Sequence, residues 1–235
     1  MADRFPLVVD STNNNLKELP SGDNLDLTGS GIKVGGTLTL GGVAVTATGT
    51  ELNLLASAGT LKQAGKETIW VPATAMYPNT TAGCSALTQV ELSNGPELKC
   101  LDFDDGSDEY AQFTVAFPKS WNLGTVTFQA FWSPSNTDTG NALIGLQGVG
   151  VANDDTSDIA FGTAVDVTDA GGGAVEDVLV SPVSGAVTIA GTPADDYYTF
   201  FQVARNATSG SDTFTGDVRL LGIKLFYTTD AANDA

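Results

Sequence analysis

Gln112-Phe113-Thr114-Val115-Ala116-Phe117-Pro118 and Val126-Thr127-Phe128-Gln129-Ala130-Phe131-Trp132-Ser133-Pro134 decide the fold class. In the first, Phe113, Val115 and Phe117 alternate with Gln112, Thr114 and Ala116. In the second, Val126, Phe128, Ala130 and Trp132 alternate with Thr127 and Gln129. A period of two places one set on a buried face and the other toward solvent, the mark of a half-buried strand. Pro118 and Ser133-Pro134 are read as stops. The same reading extends to Leu98–Phe103, which halts in Asp104-Asp105-Gly106, and to Leu143–Val151, Ile159–Val167, Val175–Val180, Ala186–Ile189, Tyr197–Ala204 and Phe214–Tyr227. About nine strands separated by turn signals such as Asn94-Gly95-Pro96, Gly171-Gly172-Gly173 and Gly191-Thr192-Pro193 predict an antiparallel β-sandwich over 69–235. The connections are too long for two-residue hairpins and imply Greek-key crossings, so a jelly roll is the expected version.

Composition agrees. Of 235 residues only 16% are charged, against an ordinary share of about 25%, and 27 Gly and 29 Thr fill the space. Thr and Gly favour strands and tight turns over helices. The net charge of −18 argues against a surface built to neutralise phosphates and against attraction to anionic lipid, so neither nucleic acid nor membrane insertion is expected. With no His, a Ser-His-Asp or Cys-His pair, a His-ligated zinc or haem and an imidazole switch are excluded. No run of 18 apolar residues occurs, and Met1–Pro6 is not followed by the apolar stretch of a signal peptide. Cys84 and Cys100 lack a CxxC partner and are expected as two buried thiols.

Charge divides the chain. Residues 1–69 hold 5 basic and 7 acidic side chains, whereas 70–235 hold 5 basic and 21 acidic. The first region has apolar residues in short groups (Leu7, Val8, Val9; Leu38, Leu40; Val43, Val45) broken by Gly35-Gly36 and Gly41-Gly42. Strands of about three residues cannot bury a face alone. The segment is either disordered, completed by copies from other chains or laid on a partner's surface; an apolar residue every two to five positions disfavours disorder, so 1–47 reads as an extended arm with a short shaft. Phe5, Pro6, Leu7, Val8 and Val9, the densest apolar cluster before residue 30, are the expected docking residues. Thr48-Gly49-Thr50-Glu51 fits a capping box, so a short helix is expected over 49–57 with Leu52 and Leu55 buried by other copies. Lys62–Lys66 reads as linker, giving segments 1–47, 48–68 and 69–235.

The residues also resemble a known group. Met1-Ala-Asp-Arg-Phe-Pro-Leu-Val-Val-Asp-Ser-Thr12 and Leu16-Lys-Glu-Leu-Pro-Ser-Gly-Asp-Asn-Leu-Asp-Leu-Thr-Gly-Ser-Gly-Ile32 resemble the N-terminal module of virion structural proteins of tailed marine phages, including cyanophages. Val45-Thr-Ala-Thr-Gly-Thr-Glu-Leu-Asn-Leu-Leu55 is similar to a segment recurring in phage fibre proteins. Ile69–Met76, Leu101–Asp104, Phe117–Asn122 and Leu225–Ala235 resemble a C-terminal domain of phage structural proteins. The resemblance implies a non-enzymatic virion component, usually homotrimeric, attached by its N-terminus. It would be made in the host cytoplasm and displayed on the virion surface, touching capsid or tail proteins and, at its head, a host-surface glycan or protein. It separates neither fibre or spike from capsid decoration nor head from tail, and carries no catalytic residue or cofactor. A glycan-cleaving tailspike is disfavoured for want of a long repeated β-helix.

Candidate chemistry is thin. Asp102, Asp104, Asp105, Asp108 and Glu109 crowd Gly106, yet Leu101 and Phe103 fall where an EF-hand loop needs its first two ligands. They are read as a solvated strand edge and turn, and Asn153–Asp158 and Asp195-Asp196 as loop tips. Paired carboxylates for glycoside hydrolysis carry no signal among 21 acids. Gly145-Leu-Gln-Gly148-Val-Gly150 lacks the Lys and following helix of a phosphate loop. Of the tryptophans, Trp132 belongs in register with the core, whereas Trp121, in a loop beside Asn122, is the candidate for stacking on a receptor sugar.

Overall fold

The computed structural model describes residues 7–10, 15–18, 39–40, 43–46 and 65–230, and the chain divides into two units, 1–57 and 58–235. In the first unit, β1 (Leu7–Asp10) pairs antiparallel with β2 (Asn15–Glu18), and β3 (Thr39–Leu40) with β4 (Val43–Ala44). Gly41-Gly42, the expected break, lie between these two strands in the chain. Phe5, Pro6 and the expected helix with Leu52 and Leu55 lie outside the described residues, while Leu7, Val8 and Val9 form most of β1.

The second unit is an all-β sandwich. Its strands are β5 (Gly65–Pro72), β6 (Tyr77–Pro78), β7 (Thr88–Glu91), β8 (Glu97–Phe103), β9 (Glu109–Val115) and β10 (Thr127–Pro134). There follow β11 (Asn141–Val151), β12 (Val165–Ala170), β13 (Leu179–Val180), β14 (Ile189–Ala190), β15 (Tyr198–Arg205) and β16 (Val218–Thr229). One sheet runs β13-β10-β16-β8-β7, with β5 also on β16; the other runs β12-β11-β15-β9-β6, with β14 on β11. Taking the eight principal strands, the orders β8-β16-β10-β13 and β9-β15-β11-β12 are those of a jelly roll: nearly every connection crosses from one sheet to the other. All principal pairings are antiparallel; the two-residue β11–β14 contact is parallel.

Alternation puts Phe113 and Val115 of β9, Phe128, Ala130 and Trp132 of β10 and Phe201 and Val203 of β15 into one core. Its centre is aromatic: Phe113 stacks on Phe201 at 5.3 Å, and Trp132 meets Phe214 edge-on at 5.4 Å. Each such side chain, fully buried, contributes about 1.5–3 kcal/mol by leaving water. The Trp132 indole nitrogen also donates to Asp169 Oδ2 at 2.8 Å, so the ring buries no orphaned donor. Gly148 faces Phe201, and a Cβ there would come within 2.8 Å of its ring, which is why β11 carries glycine at this crossing.

A buried cation anchors one end. Arg205, 1% exposed, donates from Nε and Nη2 to the two carboxylate oxygens of Asp212 at 3.1 and 3.0 Å. Its remaining donors reach the carbonyls of Phe103 (3.1 Å), Gly216 (2.6 Å) and Phe214 (2.5 Å). One side chain on β15 thereby ties the end of β8 to the crossing into β16.

Several boundaries move from the sequence reading, and twelve strands replace about nine. Gly65 and Lys66, read as linker, already pair with Thr229 and Thr228. Ser133 and Pro134 extend β10 instead of stopping it, paired with Arg219 and Val218, with the proline at the strand's last position. The stretch 159–164 is irregular and the strand begins at Val165. From Leu179 to Val187 the chain follows β10 by an interrupted ladder. Ser181 and Ser184 donate their backbone amides to the carbonyls of Ala130 and Phe128 and accept those residues' amide hydrogens on their hydroxyls, both at 2.9 Å. Pro182, with no N–H, lies between them, and the regular pairing with β10 ends at Val180.

Because Arg205 is desolvated, Asp212→Ala should destabilise the protein by about 3–5 kcal/mol, seen as a lowered urea midpoint at unchanged slope. A loss near zero would mean that Arg205 is not held as described.

Candidate functional site

The outer surface of the second sheet is the place where residues free of the core form an ordered pattern. Since Phe113, Val115, Phe201 and Val203 point inward, Gln112, Thr114, Phe200 and Gln202 point outward. Registers align them. Gln147 on β11 lies opposite Gln202 on β15, Gln202 opposite Gln112 on β9, and Gln112 opposite Tyr77 on β6. The next row is Val149, Phe200 and Thr114, and beyond it Val151 pairs with Tyr198. On the other flank lie Asp166, Gly145, Ala204 and Tyr110.

The pattern is three amides side by side, Gln112 and Gln147 half-buried and Gln202 between them 8% exposed, fringed by aromatic rings. Gln147 Nε2 donates to Gln202 Oε1 at 2.5 Å, which fixes both amides. Tyr77 and Tyr198 are 47% and 54% exposed, and Tyr198 meets Phe200 edge-on at 4.9 Å. The Tyr198 hydroxyl donates to Thr114 Oγ1 at 3.1 Å. The Tyr77 hydroxyl is pushed above its ordinary range by partial burial and then by the neighbouring Tyr198, so it stays a neutral donor at any physiological pH. An amide offers donor and acceptor together, and a phenol ring offers a flat apolar face with a polar tip. Such a surface can grip a ligand bearing both C–H faces and closely spaced hydroxyls.

The other sheet exposes a different surface. Trp70, 48% exposed, lies over Gly222, where its ring leaves no room for a Cβ, and meets Phe131 edge-on at 5.1 Å. Lys224 stands between Trp70 and Gln129 in register, its ammonium 5.2 Å from the Phe226 ring. Beside it Val180 is exposed opposite Phe131. This face is apolar with a cation, and the one amide in its row, Gln129, is engaged by the Ser181 carbonyl at 2.8 Å.

Trp121 is corrected. It is 2% exposed, stacked on Phe117 at 4.2 Å inside the core, because the turn after Pro118 folds inward and pairs Trp121 with Thr229. No ligand can reach its face. The acidic cluster serves its own turns: Asp104 Oδ1 accepts from Gly106 N (2.7 Å), Glu109 Oε2 from Asp104 N (2.8 Å), and Asp108 from Thr208. Among the described residues no three Cys, Asp or Glu gather as a metal site, and no helix is long and apolar enough to cross a membrane. Cys84 and Cys100 are free and buried; burial, then Glu109, pushes the Cys84 thiol up to about 12, and burial lifts Cys100 to about 11.

Tyr77, Gln112, Gln147, Tyr198, Phe200 and Gln202 were not singled out from sequence. Their signal was there for Gln112 and Thr114, the solvent-side members of the alternation, but only strand register shows that three glutamines from three strands become neighbours.

No family model matches the chain, and no curated protein matches it. Among solved structures it is similar to the CBM36-1 domain of a multidomain xylanase from the hindgut metagenome of Trinervitermes trinervoides, at 11% identity over 68% of this chain and 96% of that one, with a TM-score of 0.37. It is also similar to CBM28, a carbohydrate-binding module specific for non-crystalline cellulose (14%, 66% and 84%, TM-score 0.33). A third is TmCBM61 in complex with β-1,4-galactotriose (12%, 70% and 84%, TM-score 0.26). Likeness this distant leaves the ligand to be argued from the side chains of the face.

Native Cys84 and Cys100 should resist a thiol reagent at pH 8 and react fully in denaturant, since protonated buried thiols are poor nucleophiles. Rapid labelling of the folded protein would contradict their placement. Trp121→Ala should cost about 3–5 kcal/mol, whereas Tyr198→Ala should shift stability by no more than about 0.5 kcal/mol, both read by denaturant titration.

Proposed function

We propose that this chain is a non-enzymatic virion protein of a tailed phage, anchored through its N-terminal region and exposing its jelly roll to bind carbohydrate on the host surface. The observation that carries the binding role is the row Gln147–Gln202–Gln112 bordered by Tyr77, Tyr198 and Phe200. Stacking on the rings would hold the apolar face of a sugar, and the amides would exchange bonds with its hydroxyls; neither step needs a nucleophile or a metal. The virion placement is supported by the resemblance of residues 1–32 and 45–55 to phage structural modules. A homotrimer is supported by the same resemblance and by the exposed Trp70 face, since an apolar patch rimmed by polar residues marks a protein contact.

A second reading is capsid decoration, in which the Trp70 face clamps shell proteins and the amide face is incidental. Copy number separates them: a few copies at the tail favour attachment, many spread over the head favour decoration. In either case Phe5–Val9 are the anchoring residues of the proposal, and deleting residues 1–20 should leave a folded protein that no longer enters particles.

Purified protein should bind host cells, and the double variant Tyr198→Ala with Gln112→Ala should lower that binding about tenfold or more, equivalent to about 1.4 kcal/mol, with an unchanged melting curve. Equal binding by the variant would sink the assignment of this face.

A further inference from the structure

We infer that the amide face takes an extended, uncharged oligosaccharide laid across the strands and turns away acidic sugars; this rests on the carbohydrate-binding reading above. The first ground is length. Gln147, Gln202, Gln112 and Tyr77 sit in register on four neighbouring strands, three strand spacings in all. At about 4.8 Å per spacing the row is roughly 14 Å long. A single terminal sugar would engage one or two of its groups and leave the rest in water; a chain of linked rings meets all of them.

Relief is the second ground. Gly145 and Ala204 lie side by side along one flank of the amides. Ala204 leaves a low place next to Gln202, the Asp166 carboxylate closing over Gly145, while Phe200 and Tyr198 rise on the opposite flank. A ligand held between the two flanks runs across the strands, along the amide row. The Gln147–Gln202 hydrogen bond holds two of the three amides in place beforehand, so less side-chain freedom is lost on binding.

Charge is the third. The amide row and the rows of Phe200 and Tyr198 contain no ionisable group other than the two tyrosines. The nearest carboxylate in register is Asp166 on β12, its Oδ1 accepting from Asn206 Nδ2 at 2.7 Å. No Lys or Arg stands in these rows to receive a uronate or sialate carboxylate, and residues 70–235 carry 21 acids against 5 bases. An anionic sugar would lose hydration without gaining a counter-charge, in a repulsive field that reaches about a Debye length from the surface. Specificity of this kind comes from what the site withholds.

The test is affinity electrophoresis and calorimetry of the full chain with neutral probes (malto-, cello-, galacto- and manno-oligosaccharides of increasing length) and acidic ones (polygalacturonate, alginate, polysialic acid). The expected result is binding to at least one neutral series, tightening with length until the row is filled. The constant should change less than twofold between about 50 and 500 mM NaCl. Gln112→Lys, at a half-buried position whose long side chain can reach solvent, should leave folding intact and admit polygalacturonate. Salt-sensitive binding of an acidic polymer by the native protein would overturn the inference while leaving the carbohydrate reading standing. So would neutral binding with no dependence on length. Absence of binding to every saccharide of both panels would overturn the reading itself.

Discussion

A guanidinium placed inside a protein must have all its donors met, and Arg205 is the group around which this fold is arranged. Its partners are a carboxylate from the crossing between β15 and β16, two carbonyls from the same crossing, and one from the end of β8. The Phe214 ring lies 5.6 Å from its centre and supplies a further face to the cation. Asp212, Phe214 and Gly216 follow Arg205 by 7, 9 and 11 positions, whereas Phe103 lies 102 positions away. The chain must cross from one sheet to the other at one place and with one register for the five donors to be satisfied together. That crossing leads into β16, which is paired with β10, β8 and β5, and leaves from β15, which is paired with β11 and β9. The central strand of each sheet is therefore positioned from a single buried charge.

The two outer surfaces inherit that positioning and diverge in chemistry. Alternation obliges every inward aromatic or aliphatic residue to have outward neighbours, but does not say which. On one sheet the outward positions went to glutamine, threonine and tyrosine. On the other they went to Trp70, Phe131, Phe226 and Lys224. The first surface suits a hydroxyl-rich ligand that remains partly wet; the second suits a dry contact. The division means that a ligand and a protein partner could be engaged at once without competing for area.

The strands with both strong alternation and central position were legible from residues alone: β8, β10, β11 and β15 fall within one or two residues of expectation, β9 starts three residues earlier than Gln112, and the crossing topology followed from long connections. Elements whose existence depends on a partner strand were not. Tyr77–Pro78 is a strand only because Gln112 and Ala111 lie beside it, and Thr88–Glu91 only because of Leu98 and Cys100. Trp121 was misplaced for a related reason. The polar residues beside it suggested a loop in water, yet the turn at Pro118 folds its ring onto Phe117 and pairs its backbone with Thr229, a long-range contact that local pattern cannot encode. The amide row was illegible in the same way, since its three members lie 35 and 55 positions apart in the chain. Charge division, by contrast, is a count and needed no structure.

Ser181 and Ser184 close the edge of a sheet with hydroxyls where another strand would ordinarily lie. A regular terminal strand presents evenly spaced donors and acceptors on its far side, a template on which a neighbouring molecule can continue the ladder. Here the far side follows the irregular spacing set by Pro182 and the two serines, so there is no repeat for a second chain to match. Copies brought close together would then find no ladder to continue along this edge.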